Sequence, residues 1–237
     1  MRIDIWSDIA CPWCYIGKRR LEAALAGFEH RDEVEVVWRS FQLDPGSPAQ
    51  PDASVSMAEH LGRKYGGGPG AGQQMIDRME AVAAEEGLIY RLGRAQRVST
   101  LDAHRLLHAA GDRQDALKEA LLHSYMMDGD NIADHETLSR VAVSVGLDAQ
   151  EVARVLSSDE HRDAVYADVD QAADYGISGV PFFVLDQKFA ISGAQPVEVF
   201  SRALAQAWEA ARPVLQMAGL SEDSQGEVCG PEGCTPT

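Results

Sequence analysis

A chain of 237 residues, 45% hydrophobic and 24% charged, has the make-up of a globular protein with one large core or a core carrying a substantial insertion. Its net charge of −16 argues against nucleic acid as a partner, because neutralising phosphate takes clustered Lys and Arg. No apolar run approaches the ~18 residues of a membrane span, so a membrane is not an expected partner either.

The chain begins "MRIDIW", a short alternating apolar run that reads as a strand. It has no basic region followed by an apolar stretch, so a cytoplasmic protein is the expectation. Next comes "CPWC", and then "YIGKRRLEAALAGF", which sets Tyr15, Ile16, Leu21, Ala24, Leu25 and Phe28 near helical spacing. The β-branched run "EVEVVWRSF" is a second strand, so the opening residues spell a parallel strand–helix–strand unit.

After the Pro-rich "LDPGSPAQPDAS" the strand signals fade and helical patterns follow one another to Tyr175. The glycine run "GGGPGAG" is expected to be a flexible break between the first two helices. Strand patterns then return in "GVPFFVLDQKFAISG", as two runs joined by a tight turn at Asp186 and Gln187, and the following "QPVEVFSRALAQAWEAARPVL" is an amphipathic helix. These patterns give an α/β fold with an all-helical insertion. Residues 1–54 and 176–214 form the discontinuous α/β domain, residues 55–175 the insertion, and residues 215–237 a flexible tail.

The four cysteines fall into two pairs. Cys11 and Cys14 sit where a strand hands over to a helix. A helix start aims N–H groups and the positive end of the dipole at Cys11, favouring its thiolate over the ordinary thiol of pKa ~8.5. Pro12 suits the first helical position, where no N–H is needed. Trp13 offers a broad apolar face to a partner. Cys11, taken as nearer the surface, attacks a disulfide, and Cys14 resolves the mixed disulfide that results. A half zinc site and a structural disulfide are the alternatives, but the second pair has the wrong spacing for the first and so short a loop gains little from the second. The context of strand before and helix after favours redox chemistry.

"DIACPWCYIGKRRLE" followed far downstream by "GISGVPFFVLDQKFAISGAQP" resembles the DsbA-like thioredoxin-fold oxidoreductases, and in particular their FrnE-like cytosolic branch. The phrases "TLDAHRLLHAAG" and "LLHSYMMDGDNIADHETLSRVAVSVGLD" resemble the same branch, so the likeness runs from residue 1 to about 212. It implies a thioredoxin fold interrupted by helices, working as a thiol–disulfide oxidoreductase on protein or low-molecular-weight thiols and disulfides. No cofactor or metal is then required, and glutathione can serve as substrate or reductant. It further implies a cis bond at Val180–Pro181, with Pro181 packed against the cysteine pair and the Val180 backbone open to an extended substrate. The superfamily also holds 2-hydroxychromene-2-carboxylate isomerases and kappa-class glutathione transferases, which typically carry Ser where this chain has Cys11. A glutathione-dependent isomerase or transferase is therefore the alternative function.

Three further features carry expectations. His104 and His108 share a helix face at metal-binding spacing, but no third ligand is in register, so a structural role is expected. Met126 and Met127 are expected to fill core. In the tail, "CGPEGC" places Cys229 and Cys234 around a turn-forming stretch as an auxiliary redox pair that exchanges with the first.

Overall fold

The computed structural model describes residues 1–211 together with the backbone of 227–230 and 233–236. Strand β1 (Arg2–Ser7) leads into helix α1 (Pro12–Ala26), and β2 (Glu35–Ser40) returns parallel to β1 in register Ile3 to Val36 and Ile5 to Trp38. After a long helical excursion, β3 (Phe182–Leu185) runs antiparallel on the other side of β1, and β4 (Phe189–Ser192) pairs antiparallel with β3. The sheet order is thus β2-β1-β3-β4, with α9 (Val197–Ala211) after it. This is the thioredoxin arrangement the sequence implied. Asp186 and Gln187 both take left-handed φ, which is how the tight turn between β3 and β4 closes.

β1 is buried on both faces because the sheet is covered on both. Ile3 and Ile5 join Leu21 of α1, Phe183 and Leu185 of β3, and Phe200 and Leu204 of α9 in one apolar layer. Each such side chain contributes roughly 1.5–3 kcal/mol by leaving water. On the opposite face Trp6 packs with Ala172 and Val184 and donates its indole N–H to the Asp168 carbonyl at 2.8 Å. Arg39 bridges the carboxylates of Asp4 (2.8 Å) and Asp168 (3.0 Å) on that face.

Between β2 and β3 lie α2 (Met57–Tyr65), α3 (Gly68–Glu85), α4 (Leu101–Ala109), α5 (Gln114–His123), α6 (His135–Ser144), α7 (Ala149–Leu156) and α8 (Arg162–Asp174). Ser56, Asp134 and Asp148 cap α2, α6 and α7 with their side-chain oxygens, as their residue types allow. Met126 is fully buried in the helical core and Met127 packs against it. The same core includes Ile9, Tyr15 and Ile16, so the two regions share one apolar interior. α5 also seals the edge of the sheet. The Gln114 amide accepts the Trp38 N–H at 2.9 Å and donates to the Trp38 carbonyl at 3.1 Å, and Asp115 takes the Trp38 indole N–H at 2.8 Å.

The glycine run departs from expectation. Gly66, Gly67 and Gly68 adopt positive φ, but from Gly68 onward the segment is helix rather than a flexible break. The reason is close packing of α2 on α3. A Cβ at Gly62 would collide with the Gly68 carbonyl, and one at Gly72 with the Ala58 carbonyl, so only glycine lets these helices approach so nearly.

Among the described residues no helix is long and apolar enough to cross a membrane. In the tail, expected to lack fixed structure, β5 (Glu227–Gly230) and β6 (Gly233–Pro236) form an antiparallel hairpin that sets Cys229 opposite Cys234. The side chains of that pair lie outside the described residues.

Candidate active site

Cys11 is the N-cap of α1, with extended backbone (φ −94°, ψ 110°), and Pro12 follows as the first helical residue. Cys14 donates its N–H to the Cys11 carbonyl at 3.0 Å, which closes the first turn and sets the two thiols one turn apart. Across from them the Val180–Pro181 bond is cis. The Cys11 thiol donates to the Val180 carbonyl at 3.4 Å, joining two segments 169 residues apart in sequence. Pro181 lies against α1 at Gly17, where an added Cβ would stand 3.0 Å from the proline ring. Gly17 gave no signal in the sequence beyond being a glycine inside a helical pattern.

Sequence reasoning put Cys11 near the surface. In the structure it is only 3% exposed and Cys14 not at all. Cys11 instead helps to line a cavity of about 500 Å³ bounded also by Asp8, Pro12, Trp13, Val180 and residues of α2 and α3. Trp13, 40% exposed, stands at its rim. Tyr90, reached from the helical region, donates its hydroxyl to the Pro12 carbonyl at 2.7 Å and so braces the turn between the cysteines.

The electrostatics differ from the helix-start argument as well. Cys11 is pushed well above the ordinary thiol, first by its hydrogen bond with Cys14 and then by burial. Cys14 lies below the ordinary value: burial opposes this, but its interaction with the Cys11 side chain, the Lys118 cation, the Ser7 hydroxyl and the Asp8 backbone outweigh it. Within the coupled pair Cys14 is therefore the more acidic thiol and Cys11 the one that holds its proton more tightly. The Lys118 cation interacts with both sulfurs, more strongly with Cys14 than with Cys11. Lys118, on α5, is fully buried, has no hydrogen-bond partner at Nζ among the described residues, and stands 5.3 Å over the Trp38 ring. Burial pulls its pKa down to about 8 against the support of Cys14, Asp8 and Cys11.

Asp8 completes the cluster. Its carboxylate is fully buried yet held below the ordinary value, because the His104 imidazole (3.3 Å), the Leu43 N–H (2.8 Å) and the Lys118 charge overcome the cost of desolvation. His104 is thereby placed beside the cysteine site through Asp8, and burial keeps it below the ordinary imidazole value. His108, its neighbour one turn on, faces Ser40 Oγ and Asp168 Oδ2, both at 3.1 Å. The two imidazoles thus engage different carboxylates. Asp8, Lys118 and Tyr90 were missed from sequence: Asp8 sits three residues before Cys11, but nothing in the spacing links it to a lysine on a helix 110 residues away.

A model of the DSBA-like thioredoxin domain matches residues 2–205. The chain belongs to the DSBA-like thioredoxin domain family. Among solved structures, a probable DsbA oxidoreductase from Streptomyces coelicolor is 47% identical and superposes with a TM-score of 0.83, covering 99% of this chain and 98% of that one. A Bacillus subtilis protein, YwbO, is 25% identical over 214 residues, 86% of this chain and 96% of its own length. The structure of a 2-hydroxychromene-2-carboxylate isomerase shares the fold at 12% identity, with a TM-score of 0.66 over 89% of this chain and 97% of that one. As a DSBA-like chain, this protein carries the thioredoxin fold of an oxidoreductase family with helices between β2 and β3.

Proposed function

We propose that the protein is a cytoplasmic thiol–disulfide oxidoreductase in which Cys11 and Cys14 form the redox pair. The observation that supports this most directly is the position of Cys11: its sulfur faces both the Val180 carbonyl next to Pro181 and the open cavity, with Cys14 behind it beside Lys118. Cys11 attacks a substrate sulfur and leaves its proton on Cys14, and the first substrate thiolate departs. Cys14 then attacks Cys11 Sγ, its proton passes to the second departing sulfur, and the pair ends as a disulfide. Two electrons have moved from the pair to the substrate; the reverse sequence oxidises a dithiol. Trp13 and Pro12 line the substrate path, with Pro181 and the Val180 backbone opposite. The reaction requires no cofactor, and glutathione serves as substrate or reductant. Cys229 and Cys234 act as an auxiliary pair that exchanges with Cys11–Cys14.

The test is reduction of insulin and of glutathione disulfide by wild type, Cys11→Ser and Cys14→Ser, with the potential of the pair read by titration in glutathione buffers. Loss of exchange in Cys11→Ser and trapping of a mixed disulfide in Cys14→Ser support the reading. Wild-type rates in Cys11→Ser would overturn it. A glutathione-dependent isomerase would instead keep its activity in Cys14→Ser.

A further inference from the structure

Cys11 is almost fully buried, and it lines the cavity under the α2–α3 hairpin. At about 500 Å³ this space is in the range of small-molecule sites rather than of a shallow groove for a folded protein. Its roof is apolar, with Leu61 on α2 and Met75, Ile76 and Met79 on α3. Methionine packs well against flat and irregular apolar bodies, and sulfur–aromatic contacts are favourable. The roof is also firmly built, since the glycine contacts at Gly62 and Gly72 lock α2 to α3.

The charges along the lining are unbalanced. Asp44 is taken up by Arg97 at 2.7 Å, and Asp8 by His104 at the cavity floor. Lys64 on α2 is exposed and has no ion-pair partner among the described residues; its Nζ rests 5.7 Å over the Tyr65 ring. His60, on the same lining, is held below its ordinary value by burial and by the Arg97 and Lys64 cations, with the Asp44 carboxylate opposing.

Resting on the redox reading above, we propose that this cavity binds low-molecular-weight disulfides with a flat apolar body and an anionic end. The body lies under the methionines, the anion sits at Lys64, and the reacting sulfur faces Cys11. The chemistry is the two-step exchange already described: the substrate S–S bond breaks, two thiols leave, and a dithiol reductant returns Cys11–Cys14 to the reduced form.

The probes are three disulfides turned over with dithiothreitol as reductant: 5,5′-dithiobis(2-nitrobenzoate), which is aromatic and dianionic; dithiodipyridine, aromatic and neutral; and hydroxyethyl disulfide, aliphatic and neutral. Each kcat/KM is divided by the rate constant of dithiothreitol alone with the same disulfide, which removes differences in intrinsic reactivity. The normalised values are expected to fall in that order, spanning at least about tenfold from first to last, since burying one aromatic ring supplies more than the energy of a tenfold step. Lys64→Gln, at an exposed position, lowers the dicarboxylate-to-dipyridyl ratio by about three- to fivefold, as expected for one partly solvated ion pair. Met75→Gln, also at an exposed position, lowers both aromatic probes relative to the aliphatic one. Equal normalised values for all three disulfides, or a Lys64→Gln ratio equal to wild type, would overturn the assignment. If Cys11→Ser abolishes every turnover while the order is flat, the cavity assignment alone fails; if Cys11→Ser retains turnover, the cysteine reading itself fails.

Discussion

Replacing Lys118 by methionine should make the protein more stable and less able to exchange disulfides. A fully buried ammonium with no hydrogen bond at Nζ among the described residues is costly, and the cost can be read from the displacement of its pKa. The fall from 10.5 to about 8 corresponds to about 3 kcal/mol of penalty on the charged form, with the attraction of Cys14 and Asp8 already included. The unfolded chain holds this proton up to about pH 10.5 whereas the folded one releases it near 8, so wild-type stability rises with pH across that window. Methionine fills nearly the same volume and carries no charge. Lys118→Met should therefore gain about 2–3 kcal/mol at pH 7, part of the penalty being offset by the lost contact with the Trp38 ring. The gain should shrink between pH 8 and 10.5. Urea unfolding of the reduced protein at pH 7 and pH 9.5 measures this directly. The same substitution takes the cation from beside Cys14, so single-turnover exchange should slow while the fold gains stability. A variant less stable than wild type at pH 7, or equally stabilised at both pH values, would refute the reasoning.

Asp8→Asn should act in the opposite sense. The folded carboxylate titrates below 3.8, so its contribution is complete above that value and lost as pH falls through the depressed one. The variant should be less stable at pH 7, and the deficit should narrow toward pH 3 in urea unfolding. Gly62→Ala should cost about 1–3 kcal/mol by forcing α2 away from α3, lowering Tm by about 5 °C in a calorimetric scan.

Much of the fold was legible because its local signals agree with its global arrangement. Alternation in "RIDIW" and "EVEVVWRSF", Pro12 at a helix start and the Asp186–Gln187 turn each name an element by its own chemistry. The glycine run misled for an equally physical reason. Glycine signals freedom when read locally, but here its missing Cβ serves a helix crossing that sequence spacing does not display. The cysteine pair was legible through its motif, while its environment was not. Burial of Cys11, the lowered pKa of Cys14 and the bond from His104 to Asp8 all depend on which residues of the helical region face α1.

By itself the sequence determined the order of strands and helices along the chain and the junction that places Cys11 at a helix start. Those features follow from backbone preferences and short-range periodicity, which act between near neighbours along the chain. Only the tertiary structure decided that Cys11 opens into a cavity rather than onto the surface, and that a buried lysine 104 residues beyond Cys14 lies beside it. Burial and charge act through space, at contacts that no pattern within a single element can specify.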